Sequence, residues 1–110
     1  MSRSAAHASW SANDDDQLSL GPREKRSYPI LMEIGETITI ELRADRPVDL
    51  YIVDEGHWKD LQSGRPFKFF GLRSTRDVRH RFKAPRASTW HIVAYNPHED
   101  QVNGLLRIYI

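Results

Sequence analysis

From Tyr28 onward, apolar residues fall on every second position in short runs interrupted by glycine, proline or charged residues. Side chains of a strand point alternately to its two faces, so this period admits half-buried strands and excludes a string of amphipathic helices, whose apolar positions recur every three or four residues. The cleanest run is "TITIEL", with Ile38, Ile40 and Leu42 inward and Thr37, Thr39 and Glu41 outward. Before it, Tyr28, Ile30, Met32 and Ile34 share a face, and Gly35 and Glu36 supply the break. After a turn at "RADRP", Val48, Leu50 and Ile52 take one face while Tyr51 and Val53 take the other, which predicts a strand covered on both sides. "RPFKFFG", Val78 to Lys83, "TWHIVAYN" and "GLLRIYI" complete a set of about seven short strands. The one predicted helix is "DEGHWKDLQSG": Asp54 caps its start, Trp58 and Leu61 lie one turn apart, and Gly64 suits the left-handed residue after its end. The expected fold is all-β, an antiparallel, jelly-roll-like β-sandwich with one short helix.

Ahead of these strands, residues 1–26 are rich in Ser, Ala and Asp and follow neither period, so they are expected to form a disordered tail on a sandwich domain spanning residues 27–110. The run Asp14, Asp15, Asp16 is expected to be solvated, and Trp10 is the one aromatic residue of that tail. A chain of 110 residues builds a single core. No apolar run approaches the roughly 20 residues of a spanning helix, so no membrane span is expected. There is no cysteine and no continuous apolar leader near the N-terminus, which points to a cytoplasmic home. The net charge of +1 means that an electrostatic partner must read a local patch.

Three spaced motifs carry a family resemblance. "DEGHW" places Asp54 four residues before Trp58, and "GRPFKFFG" sets Gly64, Phe67, Phe69, Phe70 and Gly71 in fixed order; "PRASTWHIV" follows with Pro85, Trp90, Ile92 and Val93. In these elements the span from Val48 to Ile110 resembles a small bacterial family known as domain of unknown function 1883, and more loosely the GOLD-type β-sandwiches. It departs from that family at "APRAST", where a glycine would stand just before the tryptophan. The resemblance implies a compact β-sandwich occurring alone or joined to signalling domains, and it implies no catalytic residues.

Metal binding needs convergent ligands, and His7, His57, His80, His91 and His98 include no pair at helical i, i+4 spacing and no cysteine to assist them. His80 shares a strand face with Val78 and Phe82 and reads as a hydrogen-bonded residue at the core margin. There is no glycine-flanked serine in a strand-to-helix elbow and no phosphate-cradling glycine loop. The adjacent carboxylates Asp54 and Glu55, or Glu99 and Asp100, lie in turns where solvent keeps both ionised. No catalytic residue, metal site or cofactor is therefore expected. The rings of Trp58, Phe67, Phe69 and Trp90 read as core, with Phe70, of opposite parity, partly exposed.

The least average feature is basic. Between Arg65 and Arg86, eight cations stand against Asp77 alone, a local charge of +7. Arg79, Arg81 and Lys83 alternate with Val78, His80 and Phe82, so they must line one face about 6.5–7 Å apart. Charged residues on an outer strand also resist edge-to-edge pairing, which is reason enough for their presence. The expected function is a non-catalytic interaction or sensor module that meets an acidic protein or other anionic partner through Lys68, Arg73, Arg76, Arg79, Arg81 and Lys83. The alternative is non-sequence-specific nucleic-acid binding by the same residues, with Phe70 or Tyr95 as a stacking platform.

Overall fold

The structure, a computed structural model, describes residues 14–109, with the side chains of the first two left out. Six strands and one helix follow in the order β1 (Asp14–Leu20), β2 (Lys25–Met32), β3 (Thr37–Val53), α1 (Glu55–Gln62), β4 (Phe70–Lys83), β5 (Ser88–Tyr95) and β6 (Val102–Tyr109). All pairings are antiparallel, and the strand order is β1-β6-β3-β5-β2 with β4 on the other side of β3.

The long strands organise everything else. The first half of β3 pairs with β6, from Thr39 to Ala44, and its second half pairs with β5, from Asp49 to Val53, while β4 accompanies both halves. The sheet therefore curls, so that the layer β1-β6-β3-β4 faces the layer β2-β5-β3-β4. Rings from opposite ends of β4 meet across the interior, with Phe70 and Phe82 at 5.4 Å between centroids and Phe82 against Trp90 at 4.9 Å. Between the layers lies one core containing Ile38, Ile40, Leu42, Val48, Leu50, Ile52, Trp90, Ile92, Leu106 and Ile108. The inward sets of "TITIEL" and of Val48, Leu50 and Ile52 stand as the alternation required.

The turn expected at "RADRP" is a bend inside β3. Its ladder to β4 is irregular between Arg43 and Val48, where Pro47 offers no N–H. Side chains and neighbouring strands replace the lost partners: Asp45 accepts from the Asn103 N–H at 3.0 Å, and the His98 ring donates to the Pro47 carbonyl at 2.6 Å. Gly104 lies so close to β6's neighbour that a Cβ there would stand 2.1 Å from the Arg43 carbonyl oxygen. β4 has a matching irregularity, with Ser74 at φ 56° and its N–H held by Asp49 at 2.9 Å. What the sequence presents as four short strands is thus two long bent ones. "RPF" is not in a strand but leads into β4.

Part of the expected tail of residues 1–26 is a strand. β1 pairs with β6 from Asp14↔Ile108 to Leu20↔Val102, and Leu18 and Leu20 are buried in the core. Asp16 is not simply solvated: its carboxylate accepts from the Tyr28 hydroxyl and from Arg26 at 3.0 Å, joining β1 to β2 where the two layers meet. Burial, with the Asp16 hydrogen bond second, raises the pKa of that hydroxyl. The domain therefore extends upstream of residue 27, while Trp10 and His7 lie outside the described residues. Ile34, expected inward, is 71% exposed because its run ends at Met32 and the chain turns through Gly35 at φ 86°.

α1 forms as its caps dictate. Asp54 accepts the His57 N–H at 2.9 Å, and Gly64 follows the helix at φ 74°. Trp58 and Leu61 pack with Phe67, Phe69 and Tyr95 onto Tyr51, Val53 and Val93, which is the second cover expected for Val48–Val53. Among the described residues, no helix is long and apolar enough to cross a membrane.

Candidate partner-binding face

Arg79, Arg81 and Lys83 are exposed on the outer side of the first layer, opposite Glu41, Thr39 and Thr37 of β3. Pairing on the far side of β3 brings in residues that the local sequence does not announce. Arg107 and Arg79 flank Glu41 from opposite strands, at 3.7 and 3.6 Å, and Arg43 reaches Asp77 at 3.8 Å. The Tyr109 hydroxyl donates to Glu41 at 2.8 Å, which raises its pKa, and the Arg79 guanidinium lies 5.8 Å from that ring's centroid. One carboxylate thus meets two arginines and a tyrosine. Arg81 and Lys83 have no side-chain partner among the described residues.

Across β3, β4 and β6 the face carries Arg43, Arg79, Arg81, Lys83 and Arg107 against Glu41 and Asp77, an excess of +3. Between them lies an open depression of about 400 Å³, floored in part by Val78 and Leu105. Strands about 4.8 Å apart and alternate residues about 6.5–7 Å apart set the grid on which these charges stand. Such a surface attracts anions through water-exposed, salt-sensitive interactions, each weak alone.

The other three candidate cations do not join this face: β4 changes layer between Arg73 and Arg79, and Lys68 precedes the strand. Arg73 lies over the rings of Tyr51 and Phe69, at 5.9 and 5.2 Å, on the outside of the second layer. The Tyr51 hydroxyl, pushed up to about 12 by burial and then by Asp49, donates to that carboxylate at 2.8 Å. Arg76 is exposed at the irregular middle of β4. Lys68 lines a separate cleft near the helix. The two proposed stacking residues are also apart: Phe70 is 47% exposed beside Trp90, whereas Tyr95 packs in the cluster under α1.

His80 sits half-buried opposite Ile40. His91 is buried, its Nδ1 2.9 Å from the Ser27 hydroxyl, its Nε2 2.8 Å from Glu55, and its ring stacked on Trp58 at 4.7 Å. Ser27 lies in the regular ladder opposite Val93, without the sharp turn that presents a nucleophile. The chain from Ser27 to Glu55 ties β2, β5 and α1 together. Among the described residues, no group of three or more His, Cys, Asp or Glu side chains gathers to hold a metal ion.

No family model matches the chain, and no curated protein matches it. Solved structures do. The periplasmic inhibitor of g-type lysozyme from Aeromonas hydrophila superposes with a TM-score of 0.69 at 16% identity, over 89% of this chain and 85% of that one. The pre-peptidase C-terminal domain of collagenase from Bacillus anthracis superposes with a TM-score of 0.64 at 14% identity, over 88% and 89%. These likenesses establish a shared all-β fold.

Proposed function

We propose that this protein is a non-catalytic interaction module that grips an acidic protein through the outer face of β3, β4 and β6. The observation that carries this reading is the arrangement around Glu41, which pairs with Arg79 and Arg107 on either side while Arg81 and Lys83 are left without side-chain partners among the described residues. A protein partner suits the face better than a nucleic acid, because Glu41 and Asp77 interrupt the cations where a phosphate chain needs an unbroken track. The fold is one that also serves, in the Aeromonas hydrophila protein, to inhibit another protein. The proposal includes kinship with domain of unknown function 1883, resting on the spacing of Asp54, Trp58, Gly64, Phe67, Phe69 and Gly71.

The test compares the native protein with a variant carrying Arg79→Ala, Arg81→Ala and Lys83→Ala, all exposed and expected to cost little stability. Each is immobilised and presented with host extract, and each is titrated with a fluorescent oligonucleotide at about 150 mM salt. Retention of an acidic protein by the native form alone, with oligonucleotide binding absent, supports the proposal. Sub-micromolar oligonucleotide binding lost in the variant makes nucleic acid the ligand instead.

A further inference from the structure

At the end of the sandwich where β4 begins, the two layers part around a cleft of about 310 Å³ that the basic face does not include. Its apolar wall is presented by Phe69 and Phe70, with Ile52 and Trp90, 0% and 1% exposed, closed beneath them. Phe70 is large, apolar and 47% exposed although its ring packs against Phe82 and Trp90, so it closes the core without being closed itself. The polar rim is Asp54, His57, Lys68 and Arg86.

Two of these rim groups already satisfy each other. The Arg86 guanidinium forks onto Asp54, through Nε at 3.0 Å and through a second nitrogen, and it lies 5.1 Å above the Trp90 ring. Burial pushes the Asp54 carboxyl up, but the His57 N–H and the Arg86 guanidinium outweigh it and hold the group below its ordinary value. The Trp90 indole N–H donates to the Arg86 carbonyl at 3.1 Å, which fixes the turn that carries the arginine. His57 Nδ1 accepts from the Lys68 backbone at 3.3 Å, so the segment bearing Lys68 is held against the helix. Lys68 is exposed, and its ammonium has no side-chain partner among the described residues.

A preformed cleft with an apolar wall and a few placed polar groups is the usual form of a small-molecule site. We infer that this cleft binds a small monocarboxylate with a flat apolar body, the body against Phe70 and the carboxylate on Lys68. The volume sets the size: at about 30 Å³ per water it displaces roughly ten waters, room for a ligand of about ten to twelve non-hydrogen atoms. The charge sets the class. With Asp54 and Arg86 neutralising each other, the cation left over is Lys68, and a single carboxylate balances it. A neutral ligand would leave the ammonium to water and gain nothing from it.

The experiment uses the full chain, labelled for nuclear magnetic resonance and titrated with phenylacetate and with phenylacetamide, which shares the ring but lacks the charge. The Trp90 indole N–H and the Lys68 amide report the cleft, and the amides of Arg79 and Arg81 report the basic face. Phenylacetate is expected to shift Trp90 and Lys68 at submillimolar concentration and to bind about tenfold more tightly than the amide. Lys68→Met is expected to erase that difference while leaving the spectrum folded. Phe70→Ala is expected to weaken both probes alike. The alanine variant of Arg79, Arg81 and Lys83 should bind phenylacetate as the native protein does, so this site and the partner-binding face fail or stand separately. Equal binding of acid and amide, shifts confined to Arg79 and Arg81, or no shift up to about 10 mM overturns the inference. So does a tetrapeptide with a C-terminal phenylalanine that binds more than tenfold more tightly than phenylacetate, since the cleft would then read chain ends.

Discussion

Replacing Leu20 with alanine tests whether β1 belongs to the folded unit. Leu20 is 0% exposed, sits in the main core cluster and pairs with Val102, which is equally buried. Leucine-to-alanine changes at closed core sites cost about 2–5 kcal/mol, because the lost transfer free energy is joined by that of the cavity left behind. Leu20 should lie toward the upper part of that span, since the site cannot collapse freely. Asn96, fully buried beside it, donates to the Leu20 carbonyl at 3.2 Å, to Gly21 at 2.9 Å and to Asp100 at 2.8 Å, and so fixes the surrounding backbone. For a domain of this size about 1 kcal/mol moves the midpoint by roughly 4–8 °C, so a fall on the order of 15–40 °C is expected. Thermal unfolding followed by circular dichroism measures it, with Ser19→Ala, on the exposed side of the same strand, as the control. If Leu20→Ala and Ser19→Ala both melt within about 3 °C of the native protein, β1 contributes nothing to the core and the reasoning fails.

Gly71→Ala should destabilise by roughly 2–4 kcal/mol in urea titration, combining a φ of 129° with a Cβ that would stand 2.1 Å from the Leu50 carbonyl oxygen. His91→Ala should cost about 1–3 kcal/mol and reduce the near-ultraviolet dichroism of Trp58, since it removes both hydrogen bonds and the stacked ring that hold α1 down. Asp54 has a lower pKa folded than unfolded, so the unfolded chain binds the proton first as pH falls. Its contribution is therefore complete above the unfolded value of about 3.9 and is lost as the pH drops through the lower folded value; Asp54→Asn should flatten that part of the stability profile.

Alternation revealed the faces of the strands but not their lengths. Ile38, Ile40 and Leu42, the double cover on Tyr51 and Val53, and the caps at Asp54 and Gly64 follow from rules that act within a few residues. Pro47 and the Ser74–Thr75 step carry the same composition as turns, yet each sits in a bend that tertiary hydrogen bonds from His98, Asn103 and Asp49 keep within the sheet. β1 was hidden because Leu18 and Leu20 alone alternate there, behind three aspartates, and Asp16 becomes a core-edge residue only when Tyr28 and Arg26 meet it. The basic candidates were legible as a charge run, but a run in sequence becomes one patch only if its strand stays in one layer. β4 does not, so Arg73 and Lys68 part from Arg79, while Arg43 and Arg107 arrive by a register that no local pattern encodes.

The central claim is that the outer face of β3, β4 and β6 is the binding surface, and mapping the captured partner onto the labelled protein tests it most directly. Amide shifts on adding that partner should concentrate at Glu41, Arg43, Arg79, Arg81, Lys83 and Arg107, and the complex should weaken steeply as salt is raised. Shifts centred instead on Phe70 and Arg86, or on the outer surface of α1, with the basic face unchanged, would contradict it.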